Sequence, residues 1–357
     1  MSDTTNKPHW SPALPTLQLR WSATALSIAM TCWRKYFYHY ILKLRDPERS
    51  ADLDWGDFLH RSLAVFDGVI YAGGGEEDAT LAAVRRAMEL TETVVERTEC
   101  LECGTGFDAR ALGLLEPEFR RCGRCGMSLI EAWHVRRRED VEFWASANTA
   151  KTRATLLRAV ANYGAGLGVL PLLVLPGSPV AEVGFEMEPM DGFTVYGRLD
   201  GLIEGDYGPR SAWIRERKST KSALSKFYFS TFAPHVEVSV QSLAAREGWA
   251  GAAGFRIQGV MIEAVQTGVG FVRYGRERIA VSEERTAEFR KTLTRLWEGA
   301  RGNAEGTYGI DVWGPHAEES WPMNESACYN CHFRSLCAKA PSVRHRFYEE
   351  FRKEETT

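Results

Sequence analysis

No apolar run in the sequence is long enough to cross a bilayer; the longest candidate, Gly164–Leu175, is short and holds a proline. The opening stretch Met1–Leu19 is polar, carries three prolines and lacks the apolar core of a secretory signal, which points to the cytoplasm and no membrane partner. There is no Gly-Lys-Ser/Thr phosphate loop, so no helicase motor is carried on this chain. Internal repeats and low-complexity tracts are absent as well. Charge of one sign is also lacking: 44 Lys and Arg against 47 Asp and Glu leave a formal net charge of −3. That balance gives no global sign of a polyanion partner, although positive charge can still be concentrated along one groove. At 357 residues, 44% hydrophobic and 25% charged, the chain can build one large or two modest domains without disulfide support.

What is present, and clustered, is cysteine. Seven of the eight lie in tight groups, and in a reducing compartment grouped thiols are more often metal ligands than disulfides. Cys100-Leu-Glu-Cys103 and Cys122-Gly-Arg-Cys125 have the spacing of a zinc ribbon, with Gly104, Gly123 and Gly126 following the knuckles. A disulfide pair or an iron–sulfur site are the alternatives for these four. Arg120, Arg121 and Arg124 make the ribbon basic, which suits a nucleic-acid contact, a protein-docking knob or a plain structural staple equally. Cys328, Cys331 and Cys337 supply three more thiolates, one short of a zinc or [4Fe–4S] site, and only Cys32 remains outside the groups.

Local patterning predicts a long helix over Ala23–Leu44 capped by Ser22, a second over Trp55–Tyr71 and a third over Asp78–Thr98. Helical pattern resumes from Ser128 to Tyr163. From Gly168 short β-branched runs take over at Leu170–Leu175, Val180–Met187, Phe193–Ile203 and Ala212–Lys218, divided by Pro-Gly, Asp-Gly and Gly-Asp-Tyr-Gly turns. A helix at Val236–Trp249, strands Phe255–Ala264 and Gly270–Tyr274, and a helix at Glu283–Arg301 follow. The expected class is α/β, a mixed sheet flanked by helices. Five segments are expected: an N-terminal helical region 1–99, the inserted ribbon 100–127, a helical region 128–167, a core 168–302 and a cysteine-bearing tail 303–357.

Within the core, Val195-Tyr-Gly-Arg-Leu-Asp200 ends at an acid, and Ala212–Lys218 carries Glu216 and Lys218 two apart on one strand face. The turn between them predicts a hairpin that brings Asp200 close to Glu216, a carboxylate pair suited to a hard divalent cation. A lysine beside such a pair orients or deprotonates a water and offsets charge growing on a phosphate. Taken alone, Glu-x-Lys is a common solvated strand face.

The ordered set resembles the PD-(D/E)XK nuclease superfamily with its restriction-endonuclease-like core, and in particular the RecB-like branch that includes the AddB nuclease domain and the CRISPR-associated iron–sulfur exonucleases. Trp55-Gly-Asp-Phe-Leu-His60 is similar to that family's Gly-x-x-x-His element, which implies His60 as a metal ligand. Val240-Gln241 matches the family's glutamine motif, which implies that Gln241 lies near the nucleic acid; Ala245 stands where the family has an aromatic. Glu182 falls where the family often carries a glutamate, and is also readable as an ordinary edge-strand charge. The resemblance implies one or two Mg²⁺ or Mn²⁺ ions held by His60, Asp200, Glu216 and the carbonyl of Arg217, with Lys218 positioning the water. Thr31-Cys32-Trp33-Arg34-Lys35-Tyr36-Phe37-Tyr38 is similar to the family's cysteine-bearing helix, and implies a [4Fe–4S] cluster on Cys32, Cys328, Cys331 and Cys337 that ties the two ends together. The implied activity is a metal-dependent deoxyribonuclease, an exonuclease on single-stranded DNA or DNA ends. The settings it implies are repair, recombination, phage replication or CRISPR adaptation. The alternative is a non-catalytic DNA-binding or scaffold subunit on the same fold. Aromatic and basic stretches at Trp33–Tyr40, Lys221–Phe229 and Arg344–Phe351 are the candidate DNA path, with Arg34, Lys221 and Tyr228 the named contacts.

Overall fold

The computed structural model describes residues 8–44, 51–99, 106–108, 133–140 and 150–351, apart from Pro234, Pro315 and Asn330. The four ribbon cysteines, Cys100, Cys103, Cys122 and Cys125, lie outside the described residues. The chain opens with β1 (Arg20–Ser22), α1 (Ala23–Thr31) and α2 (Trp33–Tyr36), the last running into a π-helical turn at Phe37–Ile41. Ser22 caps α1 by accepting from the Ala25 amide at 3.1 Å. The expected single helix over 23–44 is broken at Cys32, whose backbone is extended (φ −165°, ψ 116°). The far end of the chain replaces the helical bonds lost there: Asn324 Nδ2 donates to the Thr31 carbonyl at 2.9 Å, and the Arg34 amide donates to the Pro322 carbonyl at 3.1 Å. No local sequence signal marks this break, because its partners are almost three hundred residues away.

Two long helices follow, α3 (Ala51–Tyr71) and α4 (Glu76–Thr91). The helix expected to reach Thr98 stops at Thr91, and the β-branched stretch beyond it becomes β2 (Glu92–Glu99). Strand β2 pairs antiparallel with β3 (Gly106–Asp108) and β4 (Trp133–Asp140), so the helix expected across 128–163 gives way to a strand in its first part. Helical structure returns at α5 (Arg153–Ala161), with a capping box at Thr152 and Thr155, and at α6 (Tyr163–Leu167). Leu170–Leu175 is not a strand; Leu172 makes a single bridge to Ile203.

Two further sheets build the core. In the first, β5 (Val183–Met190) pairs antiparallel with β6 (Phe193–Leu199), which runs parallel to β1. The second has the order β10-β9-β8-β7, with β7 (Gly201–Glu204), β8 (Ser211–Thr220), β9 (Arg256–Gly268) and β10 (Phe271–Ala280). Strands β8 and β9 are parallel, joined through α7 (Lys226–Ser230), α8 (Val236–Glu247) and α9 (Trp249–Ala252). The expected strand Phe193–Ile203 is therefore two strands, and the chain passes from one sheet to the other at Asp200.

Strand periodicity assigns the faces of the second sheet. Ala212 and Ile214 of β8, with Val260, Ile262 and Ala264 of β9, belong to the main core with α8 and α10 (Glu283–Gly306). Val265 of β9 packs on the other side, against Trp55, Leu59, Leu63 and Phe66 of α3 and Leu156 and Val160 of α5. With both faces covered, β8 and β9 are buried nearly throughout. The tail after α10 returns to the N-terminal helices, where Trp321 stacks on Tyr36 and Phe37. No helix among the described residues is long and apolar enough to cross a membrane.

Candidate active site

The alternation along β8 decides which groups meet. Glu216 and Lys218 continue the Ala212–Ile214 face toward α8, whereas Arg215 and Arg217 point to the α3 side. Asp200, between β6 and β7, sits at the end of this arrangement because β7 pairs with β8 only as far as Gly201↔Arg215. The Arg217 amide donates to Asp200 Oδ2 at 2.5 Å. In an extended strand a residue's N–H and C=O point to the same edge, so the Arg217 carbonyl also lies on the Asp200 side.

His60 comes from the middle of α3, and its Nδ1 is 2.7 Å from Asp200 Oδ1. Glu182, just before β5, brings Oε1 to 3.8 Å from the same nitrogen. Its backbone is left-handed (φ 54°), uncommon for a non-glycine residue and shared here with Lys43 and Arg210. Ligand atoms of His60, Glu182 and Asp200 all lie within 4.8 Å of one another. Donors about 2.1 Å from a Mg²⁺ ion are roughly 3–4 Å apart, so a small closure fits this trio around a hard cation. Glu216, expected in the same cage, instead accepts from Lys218 Nζ at 2.6 Å through Oε1 and from Gln241 Nε2 at 2.6 Å through Oε2. Lys218 is also 2.6 Å from Glu237 Oε2. Glu237 and Gln241 stand one turn apart on α8, so one helix face grips both Glu216 and Lys218.

The ionisation states follow from burial opposed by charge. Burial is the largest influence on Asp200 and acts to raise it, but the His60 charge and hydrogen bond, with Arg217, hold its carboxyl well below the usual range. Burial alone lowers His60; Asp200 and Glu216 outweigh that and leave it raised. Glu216 is pushed up to about 7, mainly by burial, with Lys218 opposing and Asp200 and Glu237 adding to the rise. Glu182 is raised by burial and by the nearby Asp200. Burial works against the charge on Lys218, yet Glu216 and Glu237 raise it, so it remains an ammonium at neutral pH. As an ammonium, Lys218 donates hydrogen bonds to Glu216 and Glu237.

Several residues expected on the DNA path are elsewhere. Arg34 is buried, its Nε donating to the Trp321 carbonyl at 2.7 Å and its Nη1 lying 3.3 Å from Glu318. Glu318 also binds Arg344 at 2.9 Å and accepts from the Tyr38 hydroxyl. A buried carboxylate between two guanidiniums is a structural clamp, so Arg34 and Arg344 are not surface contacts. Tyr36, Phe37 and Tyr38 are core residues, and Tyr36 stacks on Trp21 at 4.7 Å. Gln241, only 2% exposed, donates to Glu216, while Ala245 is packed in the core. Lys221 and Lys226 are exposed, as is Phe227 at 80%; Tyr228 is half-buried against Phe229 and Phe232. Glu237 escaped sequence reading, although its place four residues before Gln241 was the available signal.

A second constellation lies at the joined ends of the chain. Cys32, Cys328, Cys331 and Cys337 are free thiols lining one pocket. The Asn324 amide donates to Cys32 Sγ at 3.4 Å. Among the described residues, His60, Glu182 and Asp200 are the only group of three or more His, Cys, Asp or Glu donors within 4.8 Å of one another.

No curated protein matches the chain. The family model of the PD-(D/E)XK nuclease superfamily matches residues 20–338, from β1 through the last of the four thiols' helix. A parallel strand pair carrying Glu216 and Lys218, with an aspartate at the adjoining strand junction, is thus the core of a chain that belongs to the PD-(D/E)XK nuclease superfamily.

Proposed function

We propose that this protein is a divalent-metal-dependent deoxyribonuclease of the RecB-like branch, acting as an exonuclease on single-stranded DNA or DNA ends in the cytoplasm. The observation that carries this reading is the convergence of His60, Glu182 and Asp200 beside the Glu216–Lys218 pair. His60, Asp200, Glu182, Glu216 and the Arg217 carbonyl would hold Mg²⁺ or Mn²⁺. Such an ion polarises a phosphoryl oxygen and acidifies a bound water. The chain's own contribution is positional. Lys218 donates to the attacking water or to the phosphate, Glu216 and Glu237 keep that ammonium charged and aimed, and Gln241 fixes Glu216.

Cys32, Cys328, Cys331 and Cys337, free thiols that line one pocket, would hold a [4Fe–4S] cluster, each thiolate binding a separate iron. Such a tie across the chain ends would act structurally, by restraining a very long loop. The Cys100, Cys103, Cys122 and Cys125 set is proposed as a zinc ribbon on 100–127, a surface for DNA or a protein partner. The 1–99 and 128–167 segments, the 168–302 core and the 303–357 tail complete the proposed organisation.

The test is digestion of end-labelled single- and double-stranded DNA with Mn²⁺, wild type beside Asp200→Ala. Stepwise shortening from an end is expected from the wild type alone. Equal degradation by both proteins removes the proposal, and end-independent internal cutting removes its exonuclease part.

A further inference from the structure

Helix α3 carries His60 and, two turns later on the same face, Asp67. Asp67 is 2% exposed and lies against the side of β8 opposite Glu216 and Lys218. It receives two guanidinium groups at once. Arg215 Nη1 donates to Oδ1 at 3.0 Å and Arg215 Nη2 donates to Oδ2. Arg217 Nη2 is 2.8 Å from both carboxylate oxygens. These arginines also reach Asp200: Arg215 Nη2 donates to its backbone carbonyl at 3.3 Å, and the Arg217 amide to its Oδ2. Gly201 makes the approach feasible, since a Cβ there would stand 2.9 Å from Arg215 Nη2.

The pieces that carry the proposed ligands, α3, the β6–β7 junction and β8, therefore meet through one buried carboxylate. Packing already holds α3 on the sheet through Leu59, Leu63, Phe66 and Val265. Buried ion networks are a poor source of net stability, because desolvation offsets most of the attraction. What a two-arginine clamp adds is register: it fixes the translation and rotation of α3, and with them the position of the His60 ring. We infer that Asp67 is a positioning residue that sets the spacing of the His60 and Asp200 ligand atoms through Arg215 and Arg217, and thereby the affinity of the site for a divalent cation. This rests on the reading of His60 and Asp200 as metal ligands.

The probe is Mn²⁺ alone, titrated into the full chain and followed by the paramagnetic signal of the free ion, with melting temperature recorded alongside. The variants are His60→Ala, Asp67→Asn, the double variant Asp67→Asn/Arg215→Gln, and Glu318→Gln. The double variant keeps the net charge and leaves Arg217 only Glu263 as an ion-pair partner, 3.8 Å from its Nε, so it relieves part of the charge imbalance of Asp67→Asn and covers the case in which that variant folds poorly. Asp67→Asn and the double variant are each expected to weaken Mn²⁺ binding about ten- to a hundredfold, the usual range for groups behind a metal ligand. Glu318→Gln breaks a comparable clamp, on Arg34 and Arg344, that shares no residue with the site, and should lower the melting temperature while leaving Mn²⁺ binding within about twofold. Wild-type affinity in the folded double variant overturns the inference, as does an equal loss in Glu318→Gln. Absence of any effect from His60→Ala instead removes the metal-site reading itself.

Discussion

The proposed metal binding at this site would expel protons, and the burial of Glu216 is one source of them. Glu216 is raised to about 7 by burial, with Asp200 and Glu237 adding to the rise. At pH 6 roughly nine in ten metal-free molecules hold a proton on Glu216, and at pH 8 roughly one in ten. If Glu216 is a ligand, this group alone makes apparent Mn²⁺ affinity rise about tenfold between pH 6 and 8. His60, raised by Asp200 and Glu216 against the effect of burial, adds in the same direction because only a neutral imidazole ligates. Calorimetry in two buffers of different ionisation enthalpy should count more protons released near pH 6.5 than at pH 8.5, where the Glu216 share has vanished. Glu216→Gln should remove the Glu216 share and leave that of His60. The metal-free melting temperature carries the same information with opposite sign. A raised carboxylate binds a proton in the fold that the unfolded chain releases, so stability falls as pH rises from the usual 4.5 toward about 7. The His60–Asp200 pair stabilises fully below pH 6.5 and is lost as pH rises through the higher folded value of His60. A pH-independent Mn²⁺ affinity across this range would refute the assignment of Glu216 and His60 as ligands.

Three further outcomes are expected. Gln241→Ala should lower the single-turnover cleavage rate while DNA affinity, measured by fluorescence anisotropy, stays within about twofold, since Gln241 touches Glu216 and is buried from any strand. Glu318→Ala strands two buried guanidiniums and should cost about 3–5 kcal/mol, a fall of roughly 4–7 °C in melting temperature; an unchanged melt would remove the clamp from the account. Metal analysis of anaerobically purified protein should find iron with sulfide and one zinc, Cys32→Ser should lose the iron and keep the zinc, and two zincs without iron would contradict the cluster.

What the sequence made legible, and what it hid, divides by the range of the interactions. The strand that carries Glu216 and Lys218 was readable because a period of two puts both on one face. The same period also placed Arg215 and Arg217 on the opposite face, but their common partner, Asp67, lies about 150 residues away and leaves no local signal. Phe193–Ile203 looked like one strand because its apolar pattern is continuous; the transfer between sheets at Asp200 depends on which strands it meets. The break at Cys32 and the burial of Arg34 have one cause, the tail from Glu318 to Asn324 closing over the N-terminal helices. Arg34 and the aromatic residues around it have the composition of a DNA-binding surface. Burial turned them into a core held by one ion-pair clamp, and composition alone does not separate these two uses. At 92–99 and 133–140 the helical pattern was overridden by strand pairing within the inserted sheet.

The central claim is that phosphodiester cleavage occurs where His60, Glu182 and Asp200 face the Glu216–Lys218 pair. Its most direct test is Lys218→Met, assayed twice on the same preparation: Mn²⁺ binding by titration, and single-turnover cleavage of end-labelled single-stranded DNA. Lys218 is outside the ligand trio and acts as an ammonium donor, so Mn²⁺ should still bind within a few fold while cleavage falls by about a hundredfold or more. Cleavage at the wild-type rate by the folded, metal-binding variant would contradict the account.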